Sequence, residues 1–147
     1  MKKGNAIALI SRVHEKSGRF IVKELKAHGI EGIVPSHGDI LYALFKKDKS
    51  TMKEIAESIH RTRPTVTVLI DKLVDKGYVA KEKSDSDSRV TYIWLTEKGQ
   101  GLKSAIEDIS KKLNELVYGD LTDEESALLE KALEKIEMRF SGREEQK

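Results

Sequence analysis

The 147-residue sequence predicts a mainly α-helical protein with one small β-hairpin, and three features of it carry that prediction. Apolar residues recur at helical spacing along most of the chain. Thr51 with Glu54 and Thr122 with Glu125 stand at capping-box spacing, which marks two helix starts. Only residues 78–83 and 90–95 are strand-like, rich in β-branched and aromatic side chains, and the polar run SDSDSR separates them.

Residues 6–28 form a long first helix, with Ile7, Ile10, Val13, Phe20, Ile21 and Leu25 on one stripe and Gly29 placed to end it in a left-handed conformation. Gly18 weakens this helix by about 1 kcal/mol relative to alanine without terminating it. After an irregular stretch, residues 30–35, Ser36 is expected to cap a second helix, with Asp39 three residues on and Ile40, Leu41, Leu44 and Phe45 as its core face. Residues 46–49 read as a charged connector. Met52, Ile55, Ala56 and Ile59 then give the i, i+3, i+4, i+7 stripe of a short helix. His60 and Arg61 lead to Thr62, the expected N-cap of the next helix, whose first turn tolerates Pro64 because no N–H is needed there.

That next helix buries Val66, Leu69, Ile70, Leu73 and Val74, leaves Arg63, Pro64, Thr65, Thr67, Val68 and Lys72 on the opposite face, and ends at Gly77. Past Thr96, also an N-cap, one long helix is expected to about Tyr118, its Leu102, Ile106, Ile109, Leu113 and Leu116 forming a heptad seam. Gly119 and Asp120 break the chain before a last helix with Leu129, Leu133, Ile136 and Phe140 at similar spacing.

A short helix, a tight turn, a second helix and a hairpin with a polar tip make a winged helix-turn-helix. The exposed first turn of the second helix is cationic and hydroxylic, and its backbone N–H groups lack partners within the helix. It therefore suits phosphates and base edges and is read as a recognition helix. Net charge is only +2, but residues 1–103 carry 20 Lys and Arg against 13 Asp and Glu, while residues 104–147 carry 7 against 12. That asymmetry favours a basic working surface and an acidic region elsewhere, although scattered solvated charges would give the same sums.

The length fits one domain able to bury about 70% of its unfolded surface. The absence of cysteine excludes disulfides and thiolate metal sites. Lys2 and Lys3 are followed by an apolar run too short for a signal peptide or membrane span, so a cytoplasmic protein with no membrane partner is expected. No Gly-rich phosphate loop, nucleophile elbow or histidine pair at metal-ligand spacing is present. The chain is accordingly expected to be no enzyme and to carry no cofactor or metal, with His14, His28, His37 and His60 as ordinary polar residues.

Leu73-Val74-Asp75-Lys76-Gly77-Tyr78-Val79, then Asp87-Ser88-Arg89, then Leu95-Thr96-Glu97-Lys98-Gly99 together resemble the winged-helix signature of the MarR family of transcriptional regulators. The resemblance implies a repressor acting as a homodimer on double-stranded DNA. Residues 36–99 would be the DNA-binding part, and residues 1–35 and 100–147 the dimerisation helices. It further implies that Arg89 points into the minor groove while Asp87 holds it in place. Arg63, Pro64, Thr65, Thr67 and Val68 would approach bases, with Thr62 and Lys72 on phosphates and Arg61 beside them.

The chain departs from the family pattern at Val68, where members often carry a polar or basic residue, and in a serine-rich wing with few cations. Valine there suits a thymine methyl. The family also implies release from DNA by a small, often aromatic and anionic effector, for which Arg12, His14, His37, Tyr42 and Phe45 are the candidate lining. The alternative from another class is a winged helix serving only protein–protein interaction, against which Arg61, Arg63, Lys72 and Arg89 cluster on one motif.

Overall fold

Caps, more than propensity, set where the helices begin. The computed structural model describes residues 4–145, so Lys2 and Lys3 lie outside it. Its elements run α1 (Ala6–Ala27), α2 (Pro35–Phe45), β1 (Ser50–Thr51), α3 (Met52–Ile59), α4 (Arg63–Asp75), β2 (Val79–Lys83), β3 (Thr91–Leu95), α5 (Glu97–Gln100), α6 (Lys103–Tyr118) and α7 (Asp123–Glu145). They fall into two compact units, Met1–Ser110 and Lys111–Lys147.

At the start of α3 the Thr51 hydroxyl accepts the Glu54 N–H at 3.1 Å, and the Glu54 carboxylate accepts the Thr51 N–H at 3.0 Å. Thr122 and Glu125 repeat the exchange before α7, both bonds at 3.1 Å. The Thr62 hydroxyl accepts the Thr65 N–H at 3.4 Å at the head of α4. Gly77, at φ +80, ends that helix as expected, its N–H bonded to the Val74 carbonyl and the Tyr78 N–H to that of Leu73.

Two helix starts differ from expectation. α2 begins at Pro35, not beyond Ser36, because proline is already set for the first helical position and the His37 imidazole supplies the acceptor, its Nδ1 taking the Val34 N–H at 2.9 Å. The single helix expected after Thr96 is two, α5 and α6, parted at Gly101 and Leu102, where the Leu102 N–H turns back to the Gly99 carbonyl at 3.1 Å. A side chain at position 99 would sit 1.9 Å from the Tyr78 carbonyl oxygen, so only glycine permits this approach of α5 to the hairpin.

The strands pair antiparallel in the order β1-β3-β2. β2 and β3 match Val79 with Leu95 through Lys83 with Thr91, while the two residues of β1, Ser50 and Thr51, pair with Ile93 and Tyr92. The connector thus ends in a strand that the sequence does not announce.

The core is built from α2, α3, α4 and β3, with Ile40, Leu41, Ile55, Val66, Ile70, Leu73 and Ile93 at most 1% exposed, and Leu25 of α1 joins it. On α4 the predicted stripe is Val66, Ile70 and Leu73 fully buried and Leu69 and Val74 half-buried. Ile106 and Ile109 of α6 complete that core. In the second unit α7 keeps Leu129, Leu133 and Phe140 exposed. Among the described residues no helix is long and apolar enough to cross a membrane.

Candidate nucleic-acid interface

Burying the Val66–Ile70–Leu73 stripe turns the opposite face of α4 outward. Thr62, Arg63, Pro64, Thr65, Val68 and Lys72 are all exposed there, Val68 by 70%. The first turn contains no acidic residue. Thr67 is half-buried, and its hydroxyl donates to the Arg63 carbonyl at 2.9 Å. The Thr62 hydroxyl donates to that of Thr65 at 3.0 Å. Arg61 is exposed just before the helix, near Asp39, whose carboxyl burial pushes up and Arg61 partly brings back down.

The turn leading into α4 rests on His60, a non-glycine residue in the left-handed region at φ 55. The Arg61 N–H closes on the Ala56 carbonyl at 3.1 Å, which ends α3 and aims the chain at the cap.

The wing tip is held by its own side chains. Ser84 Oγ accepts the N–H groups of Ser86 and Asp87, each at 3.3 Å. The Asp87 carboxylate accepts the Arg89 N–H and Nε–H at 3.0 Å through one oxygen and the Arg89 Nη2 at 3.2 Å through the other. These bonds hold the Asp87 carboxyl below the usual carboxylate range. The Arg89 side chain is 88% exposed, so the clasp orients a guanidinium that faces solvent.

Two bridges then tie the hairpin to α4. Lys81 pairs with Asp71, and Arg63 Nη2 donates to the Arg89 carbonyl at 2.9 Å. Neither is visible in the sequence, because each joins residues from separate elements; no periodicity or spacing rule links Arg63 to a carbonyl 26 positions on.

The five residues singled out for an effector are not brought together. His14 borders a cavity of about 860 Å³ between α1 and the head of α2, with Val34, Asp39 and Arg61. Tyr42 lines another of about 550 Å³ beside α3, its ring under the Lys46 ammonium. Phe45 lines a third, of about 500 Å³, with Lys49, Trp94 and Lys103. Lys49 lies 5.0 Å from the Trp94 ring centre and 5.2 Å from that of Tyr92.

Arg12 is exposed on α1 and borders none of the three. His37 is buried, with Nδ1 committed to the Val34 N–H and Nε2 without a partner. Burial first, then Lys72 on α4 and Lys76 just past its end, lower its pKa. Among the described residues no group of three or more His, Cys, Asp or Glu side chains could hold a metal ion.

A helix-turn-helix with an exposed cationic second helix, flanked by a hairpin that presents an oriented arginine, defines a winged helix-turn-helix protein. Residues 33–91 match the family model of the MarR family. The matched stretch runs from just before α2 to the first residue of β3, so it is the helix-turn-helix and the wing of this chain that are similar to the MarR family.

Among its relatives, the HTH-type transcriptional regulator MhqR of Bacillus subtilis (strain 168) is 26% identical over 129 residues, 87% of this chain and 86% of that one. The HTH-type transcriptional regulator SarZ of Staphylococcus aureus is 34% identical over 74 residues, half of each chain. In fold, the chain is similar to MepR in an S. aureus MepR–DNA complex, with a TM-score of 0.82 over 93% of this chain and 99% of that one at 22% identity.

Proposed function

We propose that the chain is a homodimeric repressor that places two symmetry-related α4 helices in successive major grooves of a pseudo-palindromic operator, with half-sites roughly 10 bp apart. The observation that carries it is the exposed surface formed by Thr62, Arg63, Pro64, Thr65 and Val68, free of acidic residues in its first turn and joined at its edge to the clasped Arg89. Arg63, Pro64, Thr65, Thr67 and Val68 approach base edges, Thr62, Arg61 and Lys72 meet phosphates, and Arg89 enters the flanking minor groove with Asp87 as its brace. Residues 36–99 form the DNA-binding part, and residues 1–35 and 100–147 form the dimer. Exposed Ile7, Leu9 and Val13 on α1 and Leu128, Leu129 and Phe140 on α7 support this division, since a second copy would cover them.

Selection of preferred duplexes from a random pool tests this directly: a two-fold-related motif with half-sites one turn apart is expected. No binding to mixed duplex even at low salt would remove the DNA reading and favour a protein–protein module. Arg89→Ala should weaken binding more on A·T-rich than on G·C-rich flanks, because narrow minor grooves concentrate negative potential. Equal losses would make Arg89 a phosphate contact.

Control is by a small aromatic anion that favours the arrangement unable to bind DNA; a 100-fold loss of DNA affinity requires about 2.7 kcal/mol of differential binding. Cations beside aromatic rings in the Phe45–Trp94 cavity support that ligand chemistry. Millimolar salicylate should lower operator affinity, and unchanged affinity with it and related aromatic acids would exclude aromatic effectors.

A further inference from the structure

We infer that Arg63 is a positioning residue for the wing: its bond to the Arg89 carbonyl fastens the hairpin tip to the first turn of α4, so that the helix and Arg89 meet DNA as one body. The DNA half of this inference rests on the function proposed above; the fastening itself does not.

The distal hairpin has little else to hold it. Lys81, Glu82, Lys83, Asp85, Ser86, Ser88 and Arg89 are all exposed, so apolar packing does not fix the tip. The Ser84 and Asp87 bonds close the tip on itself, which gives it a shape but no direction relative to α4. Direction comes from two polar bridges that reach across, Asp71 with Lys81 partway along the hairpin and Arg63 with the Arg89 carbonyl at its end.

Arg63 is suited to the task because Thr62 caps the helix immediately before it and its own carbonyl receives the Thr67 hydroxyl, so its backbone is fixed on both sides. Its partner is a backbone oxygen whose residue is also gripped, through N–H and guanidinium, by Asp87. The chain Arg63, Arg89 carbonyl, Arg89 guanidinium, Asp87 therefore transmits the orientation of α4 to the cation at the tip. A guanidinium keeps further donors after making one such bond, so Arg63 can hold the wing and still present N–H groups outward.

Amide exchange of the unliganded protein followed by NMR tests the fastening, because the Ser86, Asp87, Arg89 and Val90 N–H groups are all bonded within the tip. Arg63→Ala leaves the core and the cap untouched, and should speed exchange at these four amides by about five-fold, the worth of one exposed charge-assisted hydrogen bond. Amides of α3 should be unchanged. Lys81→Ala, the control, should loosen the middle of the hairpin more than its tip.

A double-mutant cycle on operator affinity tests the coupling. Arg89→Ala keeps the carbonyl that Arg63 grips, so if Arg63 acts through Arg89, adding Arg63→Ala to Arg89→Ala should cost less than it costs the wild type. Unchanged tip exchange in Arg63→Ala would overturn the fastening, and strictly additive affinity losses would overturn the positioning role and leave Arg63 a separate DNA contact. Should the wild-type chain bind no duplex at all, the DNA reading fails, and the exchange measurement still decides whether Arg63 holds the wing.

Discussion

The α3–α4 pair and the last helix, α7, use the same leucines and isoleucines at the same helical spacing and reach opposite ends. In the pair, Ile55 is 1% and Ile70 0% exposed, each sealed by neighbours from other elements. On α7, which is just as well capped, Leu129 is 39% and Leu133 40% exposed in the single chain. Periodicity thus tells that a helix has an apolar face and says nothing of what covers it. The first region is complete in one copy; the second has the pattern of a surface that another copy would complete, as the proposed dimer requires.

The comparison can be broken by substitution. Ile70→Ala should destabilise the fold by about 2–5 kcal/mol, since it opens a cavity in a site with no exposure, and the loss measured by urea titration should be the same at low and high protein concentration. Leu133→Asp should instead act through concentration. Sedimentation equilibrium should find the dimer weakened by at least about ten-fold, roughly 1.4 kcal/mol, with helix content retained in the monomer. A dimer unaffected by Leu133→Asp would refute the assignment of α7 to the interface.

The smallest effect sharpens the comparison from within the first region. The pKa of His37 is lowered in the fold, first by burial and then by Lys72 and Lys76, which means that the unfolded chain takes up a proton more readily. Its contribution is therefore fully present above the ordinary histidine value of about 6.5 and is lost as pH falls below that, with a slope of at most about 1.4 kcal/mol per pH unit for one proton. Protonation at Nδ1 would also turn the acceptor of the Val34 N–H into a donor. His37→Gln retains an acceptor for that N–H and does not titrate, so the difference between the two stability–pH curves should carry this slope. Parallel curves would show that His37 does not titrate with unfolding.

The helix-turn-helix was legible because its signals are local. Thr51 and Glu54 bond within four residues, Thr62 caps within four, and the α4 stripe lies on one continuous segment. What escaped the sequence is what distant residues create. β1 is two residues long and exists through pairing with Ile93 and Tyr92. The α2 cap uses an imidazole where the usual rule looks for serine, threonine, aspartate or asparagine. The break between α5 and α6 accompanies the approach of Gly99 to the Tyr78 carbonyl, a contact set by the hairpin. Of the site, the exposed face of α4 and the Asp87–Arg89 clasp were legible; the bond from Arg63 to the wing was not. The candidate effector residues divide among separate cavities because cavity walls are chosen by tertiary packing, which one-dimensional spacing does not encode.

Trp94, the chain's single tryptophan, pairs with Ala80 at the base of the hairpin and has the Lys49 ammonium 5.0 Å from its ring centre. Its emission is therefore a colour signal tied to one address in the molecule. A molecule that enters beside Phe45 and displaces Lys49 changes both the ring's polarity and its neighbouring charge, so the spectrum should move. One that settles beside His14, or against Tyr42, occupies a different cavity and should leave the spectrum still. The fold has in this way placed a lamp beside the Phe45 cavity, and a simple fluorescence titration reports whether a ligand has entered it.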